Sequence, residues 1–118
     1  MRKVTRNIVE AFYKGEAKSS GNTCTDGNNL WLHGNKIAEK DKLGNLYITN
    51  AGFETTTTKE RLNGLLELGG FVPFPAPHIY QKNFTWYFSV GQRTLEFPCN
   101  GWLSVESEIN KAAQHHKV

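Results

Sequence analysis

"LWLHGNKIAEKDKLGNLYITN", residues 30–50, decides the fold. Short apolar runs are broken twice by turn chemistry. His33-Gly34-Asn35-Lys36 has Gly then Asn at its centre, the signature of a two-residue hairpin turn, and Gly44 marks a second turn near Lys42 to Asn45. The first turn sets Leu32 opposite Ile37 and Trp31 opposite Ala38. The second places Asp41 opposite Leu46 and keeps Ile37, Leu46 and Ile48 on one face. A three-stranded meander is predicted, with Trp31, His33 and Tyr47 on its other face.

On the N-terminal side, Val4, Ile8, Ala11 and Phe12 fall at i, i+4, i+7 and i+8, which predicts a helix over residues 4–14 stopped by Gly15. Residues 21–29 turn to Gly, Asn, Thr and Asp and read as a loop, with Thr23 to Thr25 pairing briefly as an edge strand. On the C-terminal side comes "TTTTKERLN", residues 55–63. Thr57-x-x-Glu60 fits a capping box, in which the Thr hydroxyl accepts from a backbone N–H and Glu60 reaches back to the cap. Leu62, Leu65 and Leu66 form a stripe, and Gly69-Gly70 end the helix. Asn63-Gly64 inside it costs about 1 kcal/mol against good helix formers, so this helix relies on tertiary packing.

"GGFVPFPAPH", residues 69–78, alternates Pro73, Pro75 and Pro77 and predicts an extended connector with Phe71 and Phe74 available for burial. Turns at Asn83-Phe84 and Gly91-Gln92 then agree on one buried face. Ile79 opposes Phe88, Gln81 opposes Trp86, Phe88 opposes Leu95 and Trp86 opposes Phe97, leaving Tyr80, Tyr87 and Glu96 on the reverse. Val105, Ile109, Ala112 and Ala113 predict a last helix with Ser104 as N-cap, and His115, His116 and Lys117 against its C-terminal dipole. The expected fold is α+β, two antiparallel three-stranded meanders with three short helices in the order α-βββ-α-βββ-α, in a single domain over residues 1–118.

With 118 residues, seven Phe, four Tyr and three Trp, one core is attainable despite a hydrophobic share of 38%. No window of 18 apolar residues and no leader pattern is visible, which argues against a membrane partner and for the cytoplasm. Cys24 and Cys99 are expected as free thiols. The net charge of +3 sits at the start of the chain, where Arg2, Lys3, Arg6, Lys14 and Lys18 face only Glu10 and Glu16.

At "LHGNKIA", residues 32–38, and "ITNAGFETTTTKERLN", residues 48–63, the chain resembles uncharacterised small tailed-bacteriophage proteins sharing an LHGN-x-IA turn and a TNAG-aromatic-x-T-x-TTKERLN segment. Phe53 stands where Trp is expected. The resemblance covers roughly residues 5 to 90 and implies a phage product working in the host cytoplasm. It transfers no catalytic residues.

Candidate chemistry gathers at two places. The helix start after residues 50–56 exposes N–H groups, the hydroxyls of Thr56 and Thr57, and Lys59 and Arg61, a setting suited to phosphate or carboxylate. A self-capped helix is the plainer account of Thr57 and Glu60. Outward Trp31 and Tyr47, with Lys36 nearby and Tyr80 and Tyr87 on the second sheet, offer stacking surfaces for unpaired bases, and Arg2, Lys3 and Arg6 add a basic field. Gly34, Asn50 and Gly52 read as backbone-driven turn residues. No activating motif accompanies Cys24, His33, Asp26, Glu39 or Asp41, and no metal-ligand spacing is present. The expectation is a non-enzymatic accessory protein without cofactor or metal. Its partner is single-stranded nucleic acid or another phosphate-bearing ligand; the alternative is an inhibitor or modulator of a host protein.

Overall fold

The computed structural model describes residues 1–71 and 76–115. The chain runs α1 (Lys3–Lys14), β1 (Lys18–Ser20), β2 (Thr23–Thr25), β3 (Asn29–Leu32), β4 (Asn35–Lys40), β5 (Leu46–Ile48), α2 (Thr56–Leu68), β6 (His78–Lys82), β7 (Thr85–Val90), β8 (Arg93–Glu96), β9 (Leu103–Ser104) and α3 (Val105–His115). One antiparallel sheet has the order β1-β2-β3-β4-β5-β9 and the other is β6-β7-β8. The α+β class and three helices stand, but the first meander is only the middle of a six-stranded sheet. Thr23–Thr25, predicted at an edge, lies inside because β1 folds onto it, Ser20 opposite Thr23. On the far side β9 returns to pair with β5, Ile48 opposite Leu103.

The first hairpin differs from its predicted register. His33 and Gly34, with φ 51° and 79°, occupy the turn, so Leu32 opposes Asn35 and Trp31 opposes Lys36. A turn of this hand needs positive φ at both central residues and favours Gly second, which places the turn one residue earlier. A bulge between Leu30 and Trp31 then sets Leu30 opposite Ala38. The extra residue lets the neighbours Ile37 and Ala38 both be buried, while Lys36 and Glu39 stay on the outer face.

The next turn is likewise one residue off. The Asp41 carboxylate accepts from the N–H groups of Leu43 and Asn45, both at 2.9 Å, and Lys40, not Asp41, opposes Leu46. Lys40 therefore points inward. Its Nζ donates to the Phe12 carbonyl at 2.6 Å and lies 4.6 Å from the Phe12 ring centre, satisfying a carbonyl at the end of α1. Gly15, at φ 74°, closes the same end, with Glu16 N–H donating to the Ala11 carbonyl at 2.8 Å.

The second sheet has the predicted register. Ile79 opposes Phe88, Gln81 opposes Trp86 and Phe88 opposes Leu95, and Phe97 N–H donates to the Trp86 carbonyl at 2.9 Å. Ser104 caps α3, its hydroxyl accepting from Ser107 N–H at 3.3 Å. The predicted extended connector falls largely on residues 72–75, outside those described, as do His116 and Lys117; Phe71 packs half-buried against the core.

One core serves both sheets. Ile8 and Phe12 from α1, Leu30, Ile37 and Ile48 from the large sheet, Leu62 and Leu66 from α2, and Trp86 and Phe88 from the small sheet belong to one buried cluster. Two polar-looking residues of α2 make this packing work. Asn63 donates to the Ile79 carbonyl at 2.9 Å and accepts from Ile79 N–H at 2.7 Å, so its amide occupies the open edge of β6. At Gly64 a Cβ would come within 2.5 Å of Thr5 Cγ2. The glycine that weakens α2 in isolation is what lets α1 approach it.

Candidate functional site

The threonine run supplies the start of α2 two residues earlier than the capping-box pattern predicts. Thr55, extended at φ −103° and ψ 159°, is the N-cap, and its hydroxyl accepts from Thr58 N–H at 3.1 Å. Thr57 is therefore inside the first turn. Glu60 does not reach back to a cap. It turns to α1, accepting from Arg2 N–H at 3.1 Å and from the Thr5 hydroxyl. The rotation of α2 that buries Thr58, Leu62 and Leu65 decides this, since it aims Glu60 at its neighbour. The N–H groups of Thr56 and Thr57 lie in the turn that no helical carbonyl reaches.

That turn opens on a cavity of about 310 Å³, lined by Thr55, Thr57 and Thr58, by Leu32, His33, Asn35 and Ile37 of the β3–β4 hairpin, and by Asn50 and Phe53. Its volume is at the small end of ligand sites. Leu32 and Ile37 give an apolar floor, and Phe53, half-exposed, stands at the mouth. Asn50 is fully buried. Its Oδ1 accepts from Gly52 N–H at 2.8 Å and from Asn100 N–H at 2.9 Å, holding a turn in which Ala51 and Gly52 have φ 54° and 84°. Its Nδ2 has no hydrogen-bond partner among the described residues. Sequence reading assigned Asn50 to backbone geometry alone; half of its amide does that work and the other half is left over. Nothing in the local pattern signals this, because Asn100 is brought there by the fold.

Arg61, expected at an anion site, is 2% exposed. Its Nε donates to the Thr23 hydroxyl at 2.9 Å, one terminal nitrogen to the Thr5 hydroxyl at 2.9 Å and to Glu60, and the other to Asn22 Oδ1 at 3.2 Å. Its donors are spent tying α2 to α1 and β2, so Arg61 is a structural residue rather than a free cation. Burial raises the Glu60 pKa, but the hydrogen bonds from Thr5, Arg2 and Arg61 and the Arg61 charge outweigh it and hold the carboxyl below its usual range. The network continues outward: Asn22 Nδ2 lies 3.3 Å from His33 Nε2 at the cavity wall.

The remaining predicted residues do not converge. Thr56 is exposed and is not among the residues that line the cavity, and Lys59 is half-buried one turn into α2. Arg2, Lys3 and Arg6 are exposed at the start of α1, with Arg2 placed near α2 through Glu60. Trp31, Lys36 and Tyr47 lie on the opposite face of the large sheet from Leu32 and Ile37, Trp31 directly across from Lys36. The Tyr47 hydroxyl donates to Asp41 at 3.3 Å, and the Asp41 charge, burial and this bond raise its pKa. Cys24 and Cys99 are free thiols, and no cluster of three or more His, Cys, Asp or Glu occurs among the described residues.

The fold and cavity define a small antiparallel α+β protein whose concave site opens at a helix N-terminus. The chain belongs to the Kyanoviridae Gp96 protein family, which matches residues 1–104, from the start of α1 to the end of β9. It is thus a bacteriophage protein, the class that the sequence resemblance implied. No curated protein and no solved structure matches it. No helix among the described residues is long and apolar enough to cross a membrane.

Proposed function

We propose that this protein is a non-enzymatic phage accessory protein of the host cytoplasm that binds a phosphate-bearing ligand, a nucleotide or the end of a single strand, in the cavity at the start of α2. The observation that supports this reading most is the cavity itself, in which Thr55, Thr57 and Thr58 of the α2 start meet the apolar Leu32 and Ile37 of the β3–β4 hairpin. A helix start favours an anion through its free N–H groups and its dipole. The apolar floor and Phe53 suit the ring that accompanies the phosphate. Arg2, Lys3 and Arg6 supply long-range attraction rather than direct contact. The outer-face residues Trp31, Lys36 and Tyr47 play no part in this site.

Calorimetric titration of the whole chain with nucleoside monophosphates and a short oligothymidylate, over a salt series, tests the reading. Binding that weakens as salt rises is expected. Thr56→Pro removes one N–H at the position where helices best tolerate proline, and Thr55 is already in the extended conformation proline demands. The variant should keep its circular dichroism and lose affinity by roughly tenfold. Absence of binding by all phosphate-bearing probes at low salt overturns the proposal.

A second reading rests on Phe84. It is 91% exposed at the tip of the β6–β7 hairpin and sits at φ 65°, where an aromatic side chain is disfavoured. A large apolar residue retained in such a place suits an anchor for a pocket on a host protein. A stoichiometric partner captured from nuclease-treated host lysate by the natural chain, and lost with Phe84→Gly, would favour this modulator role.

A further inference from the structure

We infer that a second cavity, where the β7–β8 turn meets α3, is an anion site that takes a phosphate group between the Arg93 guanidinium and the Lys111 ammonium. It measures about 200 Å³ and is lined by Gln92, Arg93, Thr94 and Lys111. That is below the size that encloses a drug-sized molecule, yet it has room for one tetrahedral oxyanion. It shares no lining residue with the cavity at the start of α2 and does not depend on the reading given to that one.

One carboxylate brings the two cations together. Arg93 Nε donates to Glu108 Oε1 at 2.8 Å, and Lys111 Nζ lies 3.5 Å from Oε2 of the same group. Glu108 is only 8% exposed and is not among the lining residues, so the cavity wall carries both cations and no acid. Two positive heads thus share a single negative charge, and the excess stands beside the cavity. Among the described residues Arg93 uses Nε alone, which leaves both Nη groups as donors.

The sheet edge adds a backbone donor. Phe97 N–H donates to the Trp86 carbonyl, and hydrogen-bonded pairs alternate along an antiparallel ladder, so Thr94, opposite Ser89, turns its N–H away from β7. β8 is an outer strand of its sheet, and among the described residues no strand meets that N–H. Guanidinium, ammonium, this N–H and the Gln92 amide offer more hydrogens than the two oxygens of a carboxylate accept. Phosphate brings more oxygens and up to two charges.

The test follows the backbone amide and Arg93 Nε–H resonances of the isotope-labelled whole chain during titration, at low and matched ionic strength, with inorganic phosphate, phenyl phosphate and acetate. Saturable shifts at Thr94 and Arg93 are expected with both phosphates, at least tenfold tighter than with acetate; which phosphate binds more tightly tells a free ion from a phosphate carried on a larger molecule. Lys111 is exposed, and Lys111→Gln leaves Arg93 on Glu108, so the variant should keep its circular dichroism and weaken phosphate at these resonances about fivefold. Arg93→Lys keeps the charge, removes the planar fork and should weaken it likewise. No saturable shift at Thr94 or Arg93 with either phosphate, a response equal to that with acetate, or affinity unaltered by both substitutions overturns the inference. Phosphate shifts confined to Thr57 and Thr58 overturn it too and leave the α2 cavity standing as the phosphate site.

Discussion

Gly64 and Phe84 are single residues whose local preference is overridden in opposite ways. At Gly64 a helix-interior glycine is retained because Thr5 Cγ2 fills the space where a Cβ would be, 2.5 Å away. Gly64→Ala improves helix propensity by about 1 kcal/mol, yet the clash should outweigh it and leave the protein about 1–2 kcal/mol less stable in urea denaturation. Phe84 makes no comparable contact: it is 91% exposed at φ 65°. Phe84→Gly should raise stability by about 0.5–1 kcal/mol. Glu60 carries the acid response. Its folded-state pKa is held below the ordinary 4.5, so its contribution is present above that value and is lost as pH falls through the lower, folded one. Glu60→Gln should therefore flatten the fall in melting temperature below pH 4.5. Asn63, Gly64 and Arg61 are each visible in the sequence, but as a weak helix former, a helix breaker and a surface cation. Their roles depend on what stands opposite, which composition and spacing do not carry.

At the scale of elements, α2 is the hinge of both fold and site. Four consecutive threonines made its start ambiguous: the residue spacing favours Thr57, whereas packing of Thr58 and Leu62 selects Thr55. Thr55→Ala should cost about 1 kcal/mol and disorder the cavity rim, whereas Thr57→Ala should leave stability within about 0.5 kcal/mol. α2 is also tied to α1 by the Tyr13 hydroxyl, which donates to the Leu65 carbonyl at 2.6 Å. Burial, and secondarily the Glu106 carboxylate, push that phenol far above its ordinary 10.0. Because the folded-state pKa is the higher one, this stabilisation is whole below pH 10.0 and lost as pH rises beyond it. Tyr13→Phe should lower stability by about 1 kcal/mol near neutral pH and blunt the alkaline loss, measured by melting temperature against pH. The hairpins were more legible than the caps. At Asn83-Phe84 and Gly91-Gln92 turn and burial pattern agree on one register. At His33-Gly34 two turn placements compete, and a bulge with no sequence marker resolves them.

In the whole molecule the two sheets share one buried cluster, to which α1, α2 and α3 all contribute. Unfolding should therefore be a single transition, with tryptophan fluorescence and far-ultraviolet circular dichroism coinciding; separated midpoints would mean that the small sheet melts by itself. The sequence by itself determined the helices, both hairpin regions and the buried face of the second sheet, because period, turn residues and caps act within a few positions of one another. Only the tertiary structure decided the rest: β1 and β9 extending the large sheet, Arg61 turned inward, Trp31 and Tyr47 parted from the helix start, and Asn50 held between Gly52 and Asn100. Apart from the short β1–β2 hairpin, these outcomes depend on residues tens of positions apart, and which of them meet is set by the shared core rather than by any preference of the segments themselves.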